Sequence, residues 1–215
     1  MSALLAAVGY GLGACTTISD QPLPNLVGVI QHGSGAVVGV GDASSLYGSG
    51  FRLAGYPFVV TAAHVVKPIT GATFVKWRGK EFEARIVAVD EATDLAIIEI
   101  GGTAPLPGIP LAALDTPLPP GEWIVVLGCP FGAAPTATTG IISAKPGAVL
   151  KPPTLVDRIQ LNATVNSGNS GGPVLNLRGQ VVGVANATIP GGHGLSFATP
   201  ADSIRKLLNT IGRKP

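Results

Sequence analysis

The chain has 215 residues, of which 46% are hydrophobic and only 12% are charged, a composition that excludes an intrinsically disordered protein. This length suffices for one sizeable core or for two small barrels that share an interface. The net charge is +2, and the only basic clusters are Arg205-Lys206 and Arg213-Lys214, so a nucleic-acid-binding surface is not expected. The 30 glycines and 19 prolines interrupt nearly every apolar run, which favours many short strands over a helical bundle.

Residues 1–15 have features of an export segment. A short apolar stretch ends in small residues, and Leu12-Gly13-Ala14-Cys15 matches the lipobox of bacterial lipoproteins, whose cysteine is lipidated. Two alternatives stay open, because the run is short and no Lys or Arg precedes it: the true start lies upstream, or the segment is not an export signal. We expect residues 1–25 to be a signal or lipoprotein segment with a tether, and the protein to be periplasmic or anchored to a membrane through Cys15. A disulfide between Cys15 and Cys129, the only cysteines, is not expected.

The rest of the chain is predicted to consist mostly of strands. Residues 16–28 are polar and contain proline, which suits a tether. From Leu26 onward, apolar segments of strand length alternate with Gly-rich turns. In the first half these segments are 27–30, 36–40, 51–53, 58–61, 73–77, 82–89 and 95–100. In the second half they are 122–127, 136–142, 155–162, 173–176, 181–185 and 195–198.

A Pro-rich passage, residues 103–120, separates the two sets of segments, and proline cannot donate to a sheet ladder. Two sets of about six strands with such a connector predict an all-β protein of two six-stranded antiparallel β-barrels. We place the first barrel at about 26–102 and the second at about 121–199, within one domain over 26–213. Pro200 as the first helical residue, apolar residues at helical spacing and Gly212 as a stop signal predict a C-terminal α-helix over about 200–212.

Ser170 lies at the centre of residues 164–174, which read Thr-Val-Asn-Ser-Gly-Asn-Ser-Gly-Gly-Pro-Val. Gly168, Gly171 and Gly172 can adopt backbone angles closed to other residues, so the loop can turn sharply and aim its amides inward. A serine nucleophile needs such amides beside its hydroxyl, because they stabilise the oxyanion that develops. Taken alone, the same pattern fits a tight turn between two strands equally well.

Two further residues would complete a site for nucleophilic catalysis. His64 follows the apolar segment 58–61 and Asp94 precedes the segment 95–100; alone, each is more often a core or surface histidine and a turn-forming aspartate. Asp90 competes with Asp94 for the acid role. A serine hydroxyl needs a histidine to take its proton, and the histidine needs a carboxylate to fix its tautomer. Because the histidine and the aspartates lie in the first strand set and the serine in the second, a cleft between two barrels would bring them together.

Together, these motifs resemble those of a trypsin-like (chymotrypsin-fold) serine protease of the HtrA/Deg type. The resemblance covers roughly residues 26–210, and the motifs fall in the family's order. They are Gly48-Ser49-Gly50-Phe51, Thr61-Ala62-Ala63-His64-Val65-Val66, Asp94-Leu95-Ala96-Ile97, Gly128-Cys129-Pro130-Phe131-Gly132, Thr139-Gly140-Ile141-Ile142-Ser143-Ala144, Gly168-Asn169-Ser170-Gly171-Gly172-Pro173 and Gly194-Leu195-Ser196-Phe197-Ala198-Thr199-Pro200.

The resemblance implies a serine endopeptidase that hydrolyses polypeptide substrates through an acyl-enzyme, in protein quality control or processing outside the cytoplasm. His64 would be the general base, Asp94 the acid that orients it and Ser170 the nucleophile. The amides of Gly168 and Ser170, with Asn169 between them, would form the oxyanion hole. A homotrimer is the family-based expectation, and no cofactor or metal ion is expected.

Three positions depart from the family's pattern. The sequence stops at Pro215 without the PDZ domain that usually follows the protease unit, so we expect a protease domain alone. Cys129 stands where many relatives have Asn, and we expect a small buried thiol there. Digestive relatives are activated when a new amino terminus pairs with an aspartate just before the nucleophile. Here that residue is the neutral Asn169, so activation by such a cleavage is not expected.

Substrate preference is predicted from two segments that should line the pocket for the residue before the scissile bond. Their residues are Thr164, Val165, Asn166, Val184, Ala185 and Asn186. Neither segment contains an acidic residue, which disfavours a Lys or Arg preference, and Ala185 stands where glutamate-specific relatives carry His. A small or medium apolar side chain is therefore the expected preference. His193, in a Gly-rich loop nearby, is expected to be a solvated turn residue.

Two other functions stay open. One is a catalytically weak, chaperone-like protein that keeps the fold and binds unfolded chains, and the intact set of His64, Asp94 and Ser170 argues against it. The other is a cytoplasmic enzyme whose first residues form a core strand or an amphipathic segment.

Overall fold

The computed structural model describes residues 24–213, except residues 103, 133, 149–151, 167 and 189–194. The described part of the first half contains the strands β1 (Val37–Gly41), β2 (Leu46–Arg52), β3 (Phe58–Thr61), β4 (Thr73–Trp77), β5 (Lys80–Asp90) and β6 (Leu95–Ile100). That of the second half contains β7 (Trp123–Gly128), β8 (Thr136–Ala144), β9 (Ile159–Leu161), β10 (Pro173–Leu175), β11 (Val181–Thr188) and β12 (Ser196–Pro200). The described helices are α1 (Leu26–Ser34), α2 (Ala63–Val66), α3 (Ala201–Thr210) and a 3-10 turn at Pro153–Leu155.

Each set of six strands closes into an antiparallel barrel. The first has the strand order β1-β2-β3-β6-β5-β4, and Gly39 pairs with Lys76 where β4 returns to β1. The second repeats this order as β7-β8-β9-β12-β11-β10, and Val174 pairs with Val126 where it closes. The prediction of two six-stranded antiparallel β-barrels followed by a C-terminal helix is confirmed.

The segment 27–30, predicted as a strand, lies within helix α1, so the strand prediction is wrong there. The predicted tether is also too long, because its last residues, 26–28, belong to this helix. The Asn25 side chain accepts a hydrogen bond from the backbone N–H of Gly28 at 2.9 Å and so caps the first turn. A four-residue apolar run fits both a strand and a helix, and only the cap distinguishes them.

Helix α1 packs against the second barrel through its buried residues Val29 and Gly33. A Cβ on Gly33 would lie 2.6 Å from Leu127 Cδ1 and 2.7 Å from Leu175 Cδ1, so a larger residue there would require these leucine side chains to shift. The apolar face of the helix therefore covers β7 and β10.

Hydrophobic residues form one cluster inside each barrel and a third cluster between the barrels. The cluster of the first barrel includes Val38, Val40, Val59, Val75 and Ile98. That of the second includes Ile124, Val126, Ile142, Ile159 and Leu161. The third, which we call the interface core, includes Phe51, Val60, Ile97, Leu127, Val181, Ile204 and Leu208. Successive strand residues point to opposite faces, so Val59 faces the barrel interior while Val60 faces the interface core.

Helix α3 begins at Ala201, one position after the predicted first helical residue, because Pro200 is its N-cap residue. Its residues Ile204, Leu207 and Leu208 are buried, and Gly212, with φ of 70°, follows its end. None of the helices in the described residues is long and apolar enough to cross a lipid bilayer.

Leu127→Ala should lower the free energy of unfolding by about 2–5 kcal/mol, because it leaves a cavity in the interface core. Leu127 is fully buried there. Urea unfolding of the purified protein measures the change. Leu114→Ala is the matched control, because Leu114 is 62% exposed, and its effect should stay within about 0.5 kcal/mol. Equal effects of the two substitutions would contradict the role of the interface core.

Candidate active site

Ser170 lies in a loop directly before β10, residues 168–172, which we call the serine loop. Gly168 and Gly171 have φ of 101° and 85°, in the left-handed region that other residues rarely adopt. Neither position has room for a side chain. A Cβ on Gly168 would lie 2.3 Å from Pro130 Cβ, and one on Gly171 would lie 2.2 Å from the Ser49 carbonyl oxygen. Both glycines are therefore needed for the conformation of the loop.

The peptide group between Gly168 and Asn169 is held at both ends. The Ser49 hydroxyl donates a hydrogen bond to the Gly168 carbonyl, and the Asn169 N–H donates to the Asn166 carbonyl at 3.0 Å. The N–H groups of Gly168 and Ser170 donate to no residue that the structure describes. The loop therefore presents two backbone donors, which is the number that an oxyanion hole uses.

Both barrels hold the serine loop in place. The Ser49 N–H, on β2 of the first barrel, donates to the Ser170 carbonyl at 2.8 Å. The Gly171 N–H donates to the carbonyl of Ala185, on β11 of the second barrel, at 2.6 Å. Ser49 also accepts a hydrogen bond at its hydroxyl from the Cys129 N–H at 2.6 Å, so one side chain connects three segments of the site.

His64 lies in the one-turn helix α2, directly after β3. Its Nδ1 lies 2.9 Å from Asp94 Oδ2 and 3.1 Å from Oδ1, and its backbone N–H donates to Oδ1 at 3.0 Å. The carboxylate therefore holds both the ring and the backbone of His64. The side chain of His64 is 44% exposed and that of Asp94 is 22% exposed, so the imidazole is open to a substrate while its partner is largely covered.

Asp94, and not its competitor Asp90, lies next to His64. Asp90 instead shapes the turn between β5 and β6: its carboxylate accepts hydrogen bonds from the Ala92 N–H at 3.0 Å and the Thr93 hydroxyl at 2.6 Å. Asp94 itself has a φ of 54°, a left-handed conformation that aspartate tolerates better than most residues.

The pKa of Asp94 lies below its ordinary value of 3.8. Burial alone would raise this pKa. The hydrogen bonds from His64 and the positive charge of Arg158 stabilise the ionised form and outweigh the burial. Asp94 is therefore a carboxylate at neutral pH.

The serine loop lies against the segment that carries His64. A Cβ on Gly48 would lie 2.5 Å from Val65 Cγ2, beside His64, and 2.7 Å from the Ser170 carbonyl oxygen. The missing side chain of Gly48 thus allows the two segments to approach. Within the described residues, no hydrogen bond joins the Ser170 hydroxyl to His64. Such bonds in other enzymes often form fully only with substrate bound.

The six residues predicted to line the substrate pocket differ in exposure. Thr164 and Asn166 are exposed, whereas the other four are buried: Val165, Val184, Ala185 and Asn186. The Thr164 carbonyl accepts a hydrogen bond from the Thr138 hydroxyl at 2.8 Å. Val184 packs in the interface core. The Ala185 N–H donates a hydrogen bond to the Gly172 carbonyl at 2.9 Å. These residues therefore have structural contacts of their own, among them the hydrogen bond from Asn186 Nδ2 to the Thr199 hydroxyl at 2.8 Å.

A cavity of about 450 Å³ lies beside His64 on the first barrel. Its apolar wall is formed by Ala63, Val66, Ile86 and Val89. Lys67 and Glu91 also line it, and their charged groups are 3.8 Å apart. The cavity can therefore accept an apolar side chain next to the histidine.

Other predicted residues have no chemical role in the described structure, or lie outside it. Cys129 is a buried free thiol whose pKa is raised by burial, and such a thiol is unreactive. Cys15 and His193 lie outside the described residues. No group of His, Cys, Asp or Glu side chains suited to a metal ion occurs among the residues described.

The residues that support the site, above all Ser49 and Arg158, could not be predicted from the sequence. Ser49 belongs to the motif Gly48-Ser49-Gly50-Phe51, but its hydroxyl contacts Cys129 and Gly168, which are 80 and 119 positions away. Arg158 contacts the turn before Asp94, which is 65 positions away. Such contacts leave no local pattern in a sequence.

A family model described as "Trypsin-like peptidase domain" matches residues 48–184, more than half of the chain. The chain therefore belongs to the family of trypsin-like peptidases. This agrees with the resemblance drawn from the motifs and with the prediction of a serine-type peptidase.

Similar proteins include named serine proteases of the HtrA/DegP group. The chain is 40% identical over 164 residues to serine protease HTRA4 of Homo sapiens, and the matched region covers 75% of this chain and 34% of that protein. It is 35% identical over 171 residues to a probable periplasmic serine endoprotease DegP-like of Bartonella henselae, covering 78% of this chain and 34% of that protein. The chain thus spans about a third of the length of these relatives.

A solved structure has the same fold. The crystal structure of the serine endoprotease from Yersinia pestis matches with a TM-score of 0.73 and 29% sequence identity, over 86% of this chain and 66% of that chain. The prediction of a chymotrypsin-like double barrel is confirmed.

Asp94→Asn should lower the free energy of unfolding more at pH 7 than at pH 3. Because the folded-state pKa of Asp94 lies below 3.8, its ionised form contributes stability that is complete above about pH 4. That contribution is lost as the pH falls through the folded-state pKa, and asparagine lacks it at every pH. Urea unfolding of both proteins between these pH values measures the difference. A difference that does not change with pH would contradict the lowered pKa.

Proposed function

We propose that the chain is a serine endopeptidase in which Ser170 is the nucleophile, His64 the general base and Asp94 the residue that orients His64. The observation that carries this proposal is the contact between His64 Nδ1 and Asp94 Oδ2 at 2.9 Å, beside the serine loop. Membership of the trypsin-like peptidase family supports it.

Acylation follows from the orientation of the imidazole. With Asp94 accepting the Nδ1 proton of His64, Nε2 is left as the acceptor for the proton of the Ser170 hydroxyl. Ser170 Oγ attacks the carbonyl carbon of the substrate as its proton passes to Nε2, and the carbonyl oxygen becomes an oxyanion. The N–H groups of Gly168 and Ser170 donate to this oxygen. Collapse of the intermediate breaks the C–N bond, and the leaving amine takes the proton from His64.

Deacylation repeats these steps with water as the nucleophile. His64 takes a proton from the water molecule, whose oxygen attacks the ester carbon of the acyl-enzyme. The second intermediate expels Ser170 Oγ, which recovers its proton from His64, and the carboxylic acid is released. The negative charge of Asp94 stabilises the imidazolium in both halves of the reaction.

Polypeptides with small or medium apolar side chains are the proposed substrates. The segments 164–166 and 184–186 contain no charged side chain to recognise a charged residue before the scissile bond. The apolar wall of the cavity beside His64 suits a further apolar side chain of the same substrate.

Ser170→Ala should abolish covalent labelling by a fluorophosphonate probe, because the probe reacts only with an activated serine. His64→Ala should lower the labelling rate by about 10⁴-fold or more, since no base remains to take the proton. Labelling is measured by gel fluorescence and intact-protein mass. Ser203→Ala, at a partly exposed serine of α3, is the matched control and should label like the wild type.

Labelling that persists in Ser170→Ala, or is absent from the wild type, would contradict the proposal. Absence of labelling together with binding of unfolded polypeptides would favour the chaperone-like alternative.

We also propose that the protein acts in quality control or processing outside the cytoplasm and is tethered through a lipidated Cys15. The lipobox supports this, as does the word "periplasmic" in the name of the Bartonella henselae relative. Mass spectrometry of the mature protein should show an amino terminus at Cys15 with acyl chains attached. Cys15→Ala should move the protein from the detergent phase to the aqueous phase. An intact Met1 terminus would contradict the tether. A homotrimer stays a prediction.

A further inference from the structure

Arg158 is the one buried side chain with a formal charge among the described residues. It directly precedes β9 of the second barrel and is 8% exposed. Burial of a guanidinium costs free energy unless its donors find acceptors. The bonds that Arg158 makes therefore indicate what holds it there.

Both of these bonds go to the turn that precedes Asp94 in the first barrel. Arg158 Nη1 donates to the Thr93 carbonyl at 2.5 Å, and Nη2 lies 3.4 Å from the Ala92 carbonyl. The Thr199 hydroxyl, on β12, donates to the same Thr93 carbonyl at 2.7 Å. The second barrel thus supplies two donors to the peptide group that joins Thr93 to Asp94.

Thr199 is itself fixed by its neighbour Asn186, whose Nδ2 donates to the Thr199 hydroxyl at 2.8 Å. The hydroxyl therefore has to direct its own proton at the Thr93 carbonyl. Asn186 Oδ1 is buried and has no hydrogen-bond partner among the described residues. A buried amide oxygen without a hydrogen-bond partner costs free energy. Asn186 nevertheless has the orientation in which its Nδ2 fixes the Thr199 hydroxyl against the first barrel.

The turn needs such support because Asp94 has a φ of 54°. A left-handed residue of this kind is held only where its surroundings determine it. The Asp90 carboxylate accepts a hydrogen bond from the Ala92 N–H of this turn. Arg158 and Thr199 both donate to the Thr93 carbonyl of the same turn. The direction of the Asp94 carboxylate depends on both.

Arg158 forms no ion pair with a carboxylate among the described residues, although it lies near three of them. Burial lowers the pKa of Arg158 below its ordinary value, against the opposing effect of the charges of Asp94, Asp157 and Asp90. The guanidinium is nevertheless charged at neutral pH, because arginine keeps its proton in proteins. Its N–H groups donate to the carbonyls of Thr93 and Ala92, and both carboxylate oxygens of Asp94 contact His64. This division suits a residue that positions the acid rather than one that neutralises it.

We propose that Arg158 is a positioning residue, which holds the Thr93 carbonyl from the second barrel and thereby sets Asp94 against His64. Its effect on catalysis rests on the proposed function of His64, Asp94 and Ser170. Its effect on the contact between His64 and Asp94 does not, so the two can be tested separately.

Kinetics of peptide hydrolysis provide the first test. Arg158→Met keeps the apolar stem and removes the donors and the charge, and should lower kcat by about 10²-fold through displacement of Asp94. KM should stay within about twofold of the wild type, because uniform substrate binding is not affected. Arg158→Lys should restore part of kcat, since it keeps the charge and one donor.

The second test is spectroscopic and needs no catalytic activity. A proton held between His64 Nδ1 and the Asp94 carboxylate gives a far-downfield signal in proton NMR. This signal should be present in the wild type and lost or broadened in Arg158→Met. If the wild type fails to hydrolyse peptides but the signal depends on Arg158, the proposed function fails while the positioning role is supported.

Arg205→Met is the matched control for both tests. Arg205, in α3, also donates to a backbone carbonyl, that of Ala112, but contacts no residue of the Asp94 turn. It should leave kcat and the downfield signal unchanged. Arg158→Gln, too short to reach both carbonyls, replaces Arg158→Met if the latter does not fold. An Arg158 variant that folds and matches Arg205→Met in both kcat and signal would overturn the proposal.

Discussion

Ser49 donates its backbone N–H to the carbonyl of Ser170 and its hydroxyl to that of Gly168, and these two bonds hold the serine loop against the first barrel. The position of the serine loop relative to His64 depends on this junction. It requires Gly171, because a side chain there would collide with the Ser49 carbonyl. It brings a loop of one barrel beside the histidine of the other, with the interface core behind both. The candidate site is therefore formed by residues of both barrels where the two barrels meet.

The fold could largely be predicted from the sequence because short apolar segments and turn glycines are local signals. The twelve strands follow that pattern closely enough to define two barrels. Helix α1 could not be distinguished in this way, since a run of four apolar residues fits either period and the cap at Asn25 decides between them. Helix α3 was predictable for a similar local reason, the helical spacing of its apolar residues.

The candidate site was only partly predictable. His64, Asp94 and Ser170 lie in short motifs that resemble those of a serine protease family, so they could be predicted. The structure places Asp94 rather than Asp90 beside His64. Arg158 could not be found, because an arginine before a strand usually extends into solvent. Its burial depends on carbonyls contributed by a turn 65 positions away. The roles of Thr199 and Asn186 are hidden for the same reason: they depend on which strands become neighbours, and sequence spacing does not record that.

The identical strand order of the two barrels has a consequence for folding. In each barrel the closing pair, β1 with β4 or β7 with β10, lies within one half of the chain. Each half can therefore complete its own hydrogen-bonded sheet before it meets the other, as domains emerging from a ribosome commonly do. The contacts of Ser49 with Ser170 and of Arg158 with Thr93 join the two halves, so neither can form before the second half has been made. A nascent chain thus has no assembled site while its second half is still being made.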